Sequence, residues 1–155
     1  MSLSIIIVGC GRVAVKHLKA ISELKGLDLK GVVDTNPDGA NRLLGSVGGF
    51  RNTPVFSSYR EAINTVRPDI VSVTVPSGLH FEIAKYAMEN GCNLLLEKPM
   101  TMSSAQAREL YELSAKTGRK IAMGHIYRYL PVVGLVRDDI AKGVFGKVTH
   151  GTIYV

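Results

Sequence analysis

The sequence predicts an α/β fold, a doubly wound parallel sheet covered by helices on both faces. Two observations carry that reading. Short apolar runs rich in Val, Ile and Leu alternate with amphipathic helical stretches along almost the whole chain, and a glycine-bearing turn joins the first run to the first helix. Near-continuous apolar strands separated by helices are what parallel strands buried on both faces require. At 155 residues such a chain buries roughly 70% of its unfolded surface without disulfides or a metal.

Taken in order, the first strand is read at Ser4 to Val8, followed by a helix whose apolar stripe is Val13, His17, Leu18, Ile21 and Leu24. His17 on that stripe reads as a packed helix residue rather than a ligand. The second strand spans Leu29 to Val33 and a short third lies near Val55, before Ser58-x-x-Glu61, which has the form of a capping box. A fourth strand, Ile70 to Val75, runs into Pro76-Ser77-Gly78-Leu79-His80 and a helix carrying Phe81, Ala84 and Met88, which Ser77 is placed to cap. The fifth strand is Asn93 to Leu96. A second capping box, Ser103-x-x-Gln106, then opens a helix that stops at Gly118, and Lys120 to Met123 is the sixth strand. The character changes at His125. There follow a helix from Pro131 to about Lys142, a Gly143-Val144-Phe145-Gly146 turn, and Lys147 to Val155, whose Val, Thr, Ile and Tyr content predicts a seventh strand. The expected division is therefore residues 1–124 and residues 125–155.

Composition excludes several classes of function. No apolar run approaches the ~18 residues of a membrane span. The N-terminus lacks a basic region and its apolar stretch is broken by Gly9, so no signal peptide is expected and a cytoplasmic location is the default. The net charge is +6, but the 19 basic residues are scattered, which argues against nucleic acid and for a solvated surface with a cleft for an anionic ligand. Cys10 and Cys92 have neither metal-ligand nor disulfide spacing and read as small packed residues in a reducing compartment; no metal is expected.

The chemistry is expected where strands end, because ligands of open parallel sheets sit beyond the carboxyl ends. Gly9-Cys10-Gly11-Arg12-Val13-Ala14 follows the first strand. Gly9 permits a tight turn, Gly11 lets the backbone approach a pyrophosphate without a Cβ in the way, and Ala14 allows close helix packing, while the helix N-terminus offers unpaired N–H groups. Asp34 ends the second strand with Thr35-Asn36-Pro37 behind it and no Arg. A carboxylate there accepts from ribose hydroxyls and repels a 2′-phosphate, so NAD is the expected cofactor, with Gly9, Cys10, Gly11, Arg12, Val13, Asp34 and Thr35 around it. Ser77 and His80 follow the fourth strand, and Glu97-Lys98-Pro99 follows the fifth. Charges directly after a buried strand are costly unless paired or used, and a lysine desolvated beside a cofactor serves as an acid or base. Lys98 is the candidate catalytic residue.

Glu97-Lys98-Pro99 after Pro76-Ser77-Gly78-Leu79-His80, with Gly9-Cys10-Gly11 upstream, resembles the Gfo/Idh/MocA oxidoreductase family. His125-Ile126-Tyr127-Arg128 with Pro131, and the later Gly143-Val144-Phe145-Gly146, look like that family's bridge into its second domain. The resemblance implies a Rossmann NAD(P)-binding fold followed by a short bridge. It places the pyrophosphate on Gly9 and Gly11, the ribose on Asp34, and Glu97 and Lys98 beside the nicotinamide, with Lys98 on the substrate hydroxyl and the Lys-Pro bond often cis. Arg128 of the bridge is counted among the cofactor-binding residues. The family's second α/β domain, with its Asp-x-x-x-His pair, is expected to lie outside these residues, leaving Lys147 to Val155 as its first strand and an edge for homo-oligomer pairing. The implied activity is an NAD-dependent dehydrogenase acting on a secondary hydroxyl of a sugar, polyol or nucleotide sugar. The alternatives are a stand-alone NAD-binding module or sensor and, against the Glu-Lys-Pro segment, a methyltransferase.

Overall fold

A computed structural model describes residues 2–152. It holds two compact units, Met1–Gly124 and His125–Val155. The first unit is built from β1 (Leu3–Val8), α1 (Arg12–Glu23), β2 (Leu27–Val33), α2 (Pro37–Gly45), β3 (Val55–Phe56), α3 (Tyr59–Val66), β4 (Ile70–Val73), α4 (His80–Glu89), β5 (Asn93–Leu96), α5 (Ser104–Thr117) and β6 (Ile121–Met123). All six strands are parallel in the order β3-β2-β1-β4-β5-β6. The order reverses between β1 and β4, which makes the crevice beyond their carboxyl ends the topological switch point of a Rossmann sheet.

Strand alternation divides the core between the faces. Ile6 and Val8 of β1 pack with Ala62 and Ile63 of α3, Ile83, Ala84 and Met88 of α4, and Leu110 of α5. Ile5 and Ile7 pack with Ala14, Leu18 and Ile21 of α1 and with Ala40, Leu43 and Leu44 of α2. Burial of each Val, Leu, Ile or Met among them stabilises the fold by about 1.5–3 kcal/mol. The apolar stripe of α1 is centred on Ala14, Leu18 and Ile21, while Val13 and Leu24 at its margins are exposed.

Local signals account for several helix ends. Ser58 accepts from Glu61 N–H at 3.5 Å and Ser103 from Gln106 N–H at 3.3 Å, so both capping boxes form their serine half. Gly118 closes α5 at φ 69°, in the left-handed region where a Cβ is strained. Two elements differ from the sequence reading. Helix α2, absent from it, starts at an Asn36 cap whose side chain accepts from Asp38 and Gly39 N–H, with Pro37 in the first turn. Strand β4 stops at Val73 because the Thr74 hydroxyl turns to the glycine loop, donating to Gly9 O at 2.6 Å and lying 3.1 Å from Val8 O.

The second unit holds a 3-10 turn at Ile126–Tyr129 and helix α6 (Pro131–Ala141). The expected seventh strand is corrected over its described part. Residues 147–152 form no strand, and residues 153–155 lie outside the described residues. A strand exists only as one side of a ladder, and β-propensity alone supplies no partner for its N–H and C=O groups. Among the described residues no helix is long and apolar enough to cross a membrane.

Candidate functional site

The turn after β1 depends on its first glycine. Gly9 has φ +94°, and a Cβ there would lie 2.8 Å from Val75 Cγ1 and 2.9 Å from the Thr74 and Val75 backbone. Its N–H donates to Val33 O at 2.8 Å, docking the turn on β2. Gly11 differs in kind. Its φ of −77° and ψ of −171° suit any residue, and a Cβ there meets nothing within 4 Å. The protein itself therefore does not require a glycine at this position, and what the bare Cα preserves is access from outside. Gly11 caps α1 without a side-chain bond, and among the described residues the N–H groups of Gly11, Arg12 and Val13 have no acceptor. They converge with the roughly +0.5 charge of a helix N-terminus on one open face, an arrangement suited to phosphate.

Asp34 flanks that face and has a structural duty that sequence reasoning did not foresee. Cys10 N–H donates to its Oδ2 at 2.7 Å and Asn36 N–H to its Oδ1 at 2.8 Å. The carboxylate thus ties the glycine turn to the end of β2, and each oxygen keeps a lone pair for a hydroxyl. Cys10 is engaged on the protein side of the turn. Its N–H serves Asp34 and its thiol faces Val33 O at 3.7 Å, so the open cradle comprises Gly11, Arg12 and Val13. Thr35 lies in the bend after Asp34.

Burial first, and then the Asp34 charge, push the Cys10 thiol up to about 12; burial also raises Cys92. At pH 8 a thiol of that kind is ~10⁻⁴ ionised, and the thiolate is the nucleophile. Both cysteines are expected to react with a thiolate-selective disulfide reagent far more slowly in the native chain than in denaturant. Rapid native labelling of Cys10 would show that the turn is open.

The ends of β4 and β5 are joined by His80. The ring is only 1% exposed, with Nδ1 2.7 Å from Pro99 O and Nε2 3.0 Å from Val75 O. Neither nitrogen is left for a ligand. Ser77 does not cap α4; it opens a 3-10 turn, Ser77–Leu79, that carries the chain across the edge. Glu97 also turns inward. Its Oε1 lies 3.1 Å from His17 Nε2 and its Oε2 accepts from Lys98 N–H at 3.3 Å. His17 Nδ1 in turn lies 2.8 Å from the hydroxyl of Ser72, fully buried within β4. Lys98 alone of the charge pair is exposed, and the Lys98–Pro99 peptide is cis. Arg128 belongs to the second unit, in the turn Ile126–Tyr129.

Sequence reasoning passed over Ser72 and Gly124. A serine between the valines of a buried strand, and a glycine directly after the last strand, were the available signals. A groove of about 490 Å³ between Arg67, Asn93 and Arg119 lies where β4 and β5 begin, away from the glycine turn; concavity alone does not mark the chemistry.

Residues 3–125 match a family model described as an oxidoreductase family with an NAD-binding Rossmann fold, Gfo/Idh/MocA. D-glucoside 3-dehydrogenase of Escherichia coli is 31% identical over 147 residues, 94% of this chain and 41% of that protein. D-xylose 1-dehydrogenase (NADP(+)) of Hypocrea jecorina is 36% identical over 110 residues, 70% of this chain and 28% of that protein. The structure of scyllo-inositol dehydrogenase from Lactobacillus casei with bound NAD(H) and scyllo-inositol superposes with a TM-score of 0.88 at 20% identity, over 96% of this chain and 44% of that one. The chain spans less than half the length of these relatives.

Proposed function

The chain belongs to the Gfo/Idh/MocA oxidoreductase family, and from that premise we propose that it is the cofactor-binding part of an NAD-dependent dehydrogenase acting on a secondary hydroxyl of a sugar or polyol. The observation that carries the reading is the open face over Gly11, where the N–H groups of Gly11, Arg12 and Val13, without an acceptor among the described residues, lie beside the turn that Asp34 holds through Cys10. That face fits a dinucleotide. Gly11, Arg12 and Val13 would hold its phosphates, and the remaining lone pairs of Asp34 its adenosine ribose. Bound NAD supplies the hydride acceptor.

Lys98 stands at the end of β5, the strand beside β4, on the edge that carries the glycine turn. There its Nζ is available to hold a substrate hydroxyl and receive its proton as the carbon-bound hydrogen leaves as hydride, a task worth roughly 10²–10⁴-fold in rate. Glu97 supports that placement from beneath. Relatives named for glucosides and xylose, and a neighbour bound to scyllo-inositol, support a polyhydroxylated ring as substrate.

The test is NADH formation from a panel of pyranoses and inositols, assayed with the 155-residue chain and with any reading frame that continues it. Lys98→Ala is expected to lower turnover by about 10²-fold or more with NADH affinity changed little. Undiminished turnover in that variant would remove Lys98 from the chemistry. NADH binding with no turnover in either form would favour a binding module or sensor.

A further inference from the structure

We propose that His17 and His80 are positioning residues that bracket Lys98, His17 through the Glu97 carboxylate and His80 through the Pro99 carbonyl. The proposal deepens the functional reading above and rests on it for the role of Lys98. Neither histidine touches the open face over Gly11. Each instead connects the Glu97–Pro99 segment to another element, His17 to β4 and His80 to the loop that follows it.

His17 comes from α1, the helix that follows the glycine turn. An ionised carboxylate only accepts, so His17 Nε2 donates to Glu97 Oε1 across 3.1 Å. In the neutral ring Nδ1 is then an acceptor, matched by the Ser72 hydroxyl at 2.8 Å. Ser72 is fully buried in β4, so it anchors the ring to the middle of the sheet. Gly124 forms the seat on the other side of the carboxylate. A Cβ there would lie 2.6 Å from Glu97 Oε1, so the bare Cα leaves the space in which the carboxylate lies. Held there, Glu97 accepts from the Lys98 N–H with its second oxygen at 3.3 Å.

His80 acts on the following residue. Both of its contacts, Pro99 O at 2.7 Å and Val75 O at 3.0 Å, are carbonyl acceptors. Each ring nitrogen faces one of these carbonyls, so the ring ties the loop after β4 to the loop after β5. Lys98 therefore lies between two residues that are each fixed by a histidine from a different element. A lysine with four flexible side-chain bonds gains a defined origin by this means, and misplacement by ~1 Å can cost 10²-fold in rate.

The test reads Lys98 directly and without turnover. The chain is reductively methylated with ¹³C-formaldehyde, the Lys98 signal is assigned by its loss in Lys98→Arg, and amide exchange is followed at Lys98 and, as a control, at Val71 and Leu94. In the absence of cofactor, His17→Leu and Gly124→Ala are expected to shift the Lys98 methyl signal and speed Lys98 amide exchange about tenfold, with Val71 and Leu94 unchanged, since the strand ladder is retained. His17→Gln, whose amide can donate to Glu97 and accept from Ser72, is expected to restore both. His80→Gln is expected to preserve the signal where His80→Leu disturbs it. Gly124→Ala leaves His17 intact, so it separates the carboxylate seat from any effect of the ring on folding. Wild-type Lys98 signals and exchange in both His17→Leu and Gly124→Ala would overturn the bracket. A parallel NADH titration of the wild-type chain judges the functional reading separately: absence of binding there would refute that reading, while the cofactor-free spectra alone would still decide whether the bracket exists.

Discussion

Gly11→Ser is expected to leave the fold as stable as before, or slightly more so, while lowering NADH affinity about tenfold or more, equivalent to ~1.4 kcal/mol. The two effects separate because nothing of the protein lies within 4 Å of a Cβ at this position and its φ of −77° is ordinary. Serine is also a better helix cap than glycine by a few tenths of a kcal/mol. The added atoms extend into the face where the N–H groups of α1 point, and only a ligand meets them. Gly9→Ala is the contrast. It forces a Cβ to φ +94° within 2.9 Å of the Thr74 and Val75 backbone, and backbone cannot yield as a side-chain tip does. A loss of about 2–4 kcal/mol of stability follows from strain and overpacking together. Thermal melts beside NADH titrations of both variants check the pair. A Gly11→Ser variant that binds NADH as the wild type does would mean that the phosphates lie elsewhere.

Asp34→Ala is expected to damage both folding and binding. Its carboxylate accepts from Cys10 N–H at 2.7 Å and Asn36 N–H at 2.8 Å. Leaving a partly buried donor without a partner costs about 1–3 kcal/mol, and a loss of ~2 kcal/mol lowers the melting midpoint of a domain this size by about 4–8 °C. NADH affinity should fall by a further ~1.5–3 kcal/mol through lost charge-assisted bonds to the ribose. NADPH should be affected less, because removal of the like charge offsets part of the loss. Calorimetric melts and titrations with both cofactors separate the two roles. An unchanged melting midpoint would show that the turn does not depend on the carboxylate.

The positions of the strands along the chain and the two-faced core were legible because burial on both faces leaves almost no polar residue in β1, β4 and β5, and the punctuating glycines and serines stand at the element ends. Helix α2 was not, since its apolar face is only Ala40, Leu43 and Leu44 and the Asn36-Pro37 start alone announces it. The glycine turn could be read with the reason for each glycine, because backbone geometry and local approach are short-range properties. What His17, His80 and Glu97 touch could not be read. Their partners, Ser72, Pro99 and Val75, and the Gly124 seat lie on other elements, 5 to 80 positions away in the chain for the hydrogen-bonded pairs. Which carbonyl a histidine meets is settled by how loops close over the sheet, and residue type carries little of that information. The same holds for Asp34, whose proposed ribose role is read from its strand end and whose hold on Cys10 depends on the path of the turn.

Isothermal titration of NADH and NADPH into the 155-residue chain and its Gly11→Ser variant decides whether the open face between α1 and Asp34 is a dinucleotide site selecting NAD. The expected result is one NADH site per chain, NADPH binding weaker by about tenfold or more, and loss of affinity for both in the variant. Equal affinity for the two cofactors, or NADH binding indifferent to the residue at position 11, would contradict that assignment.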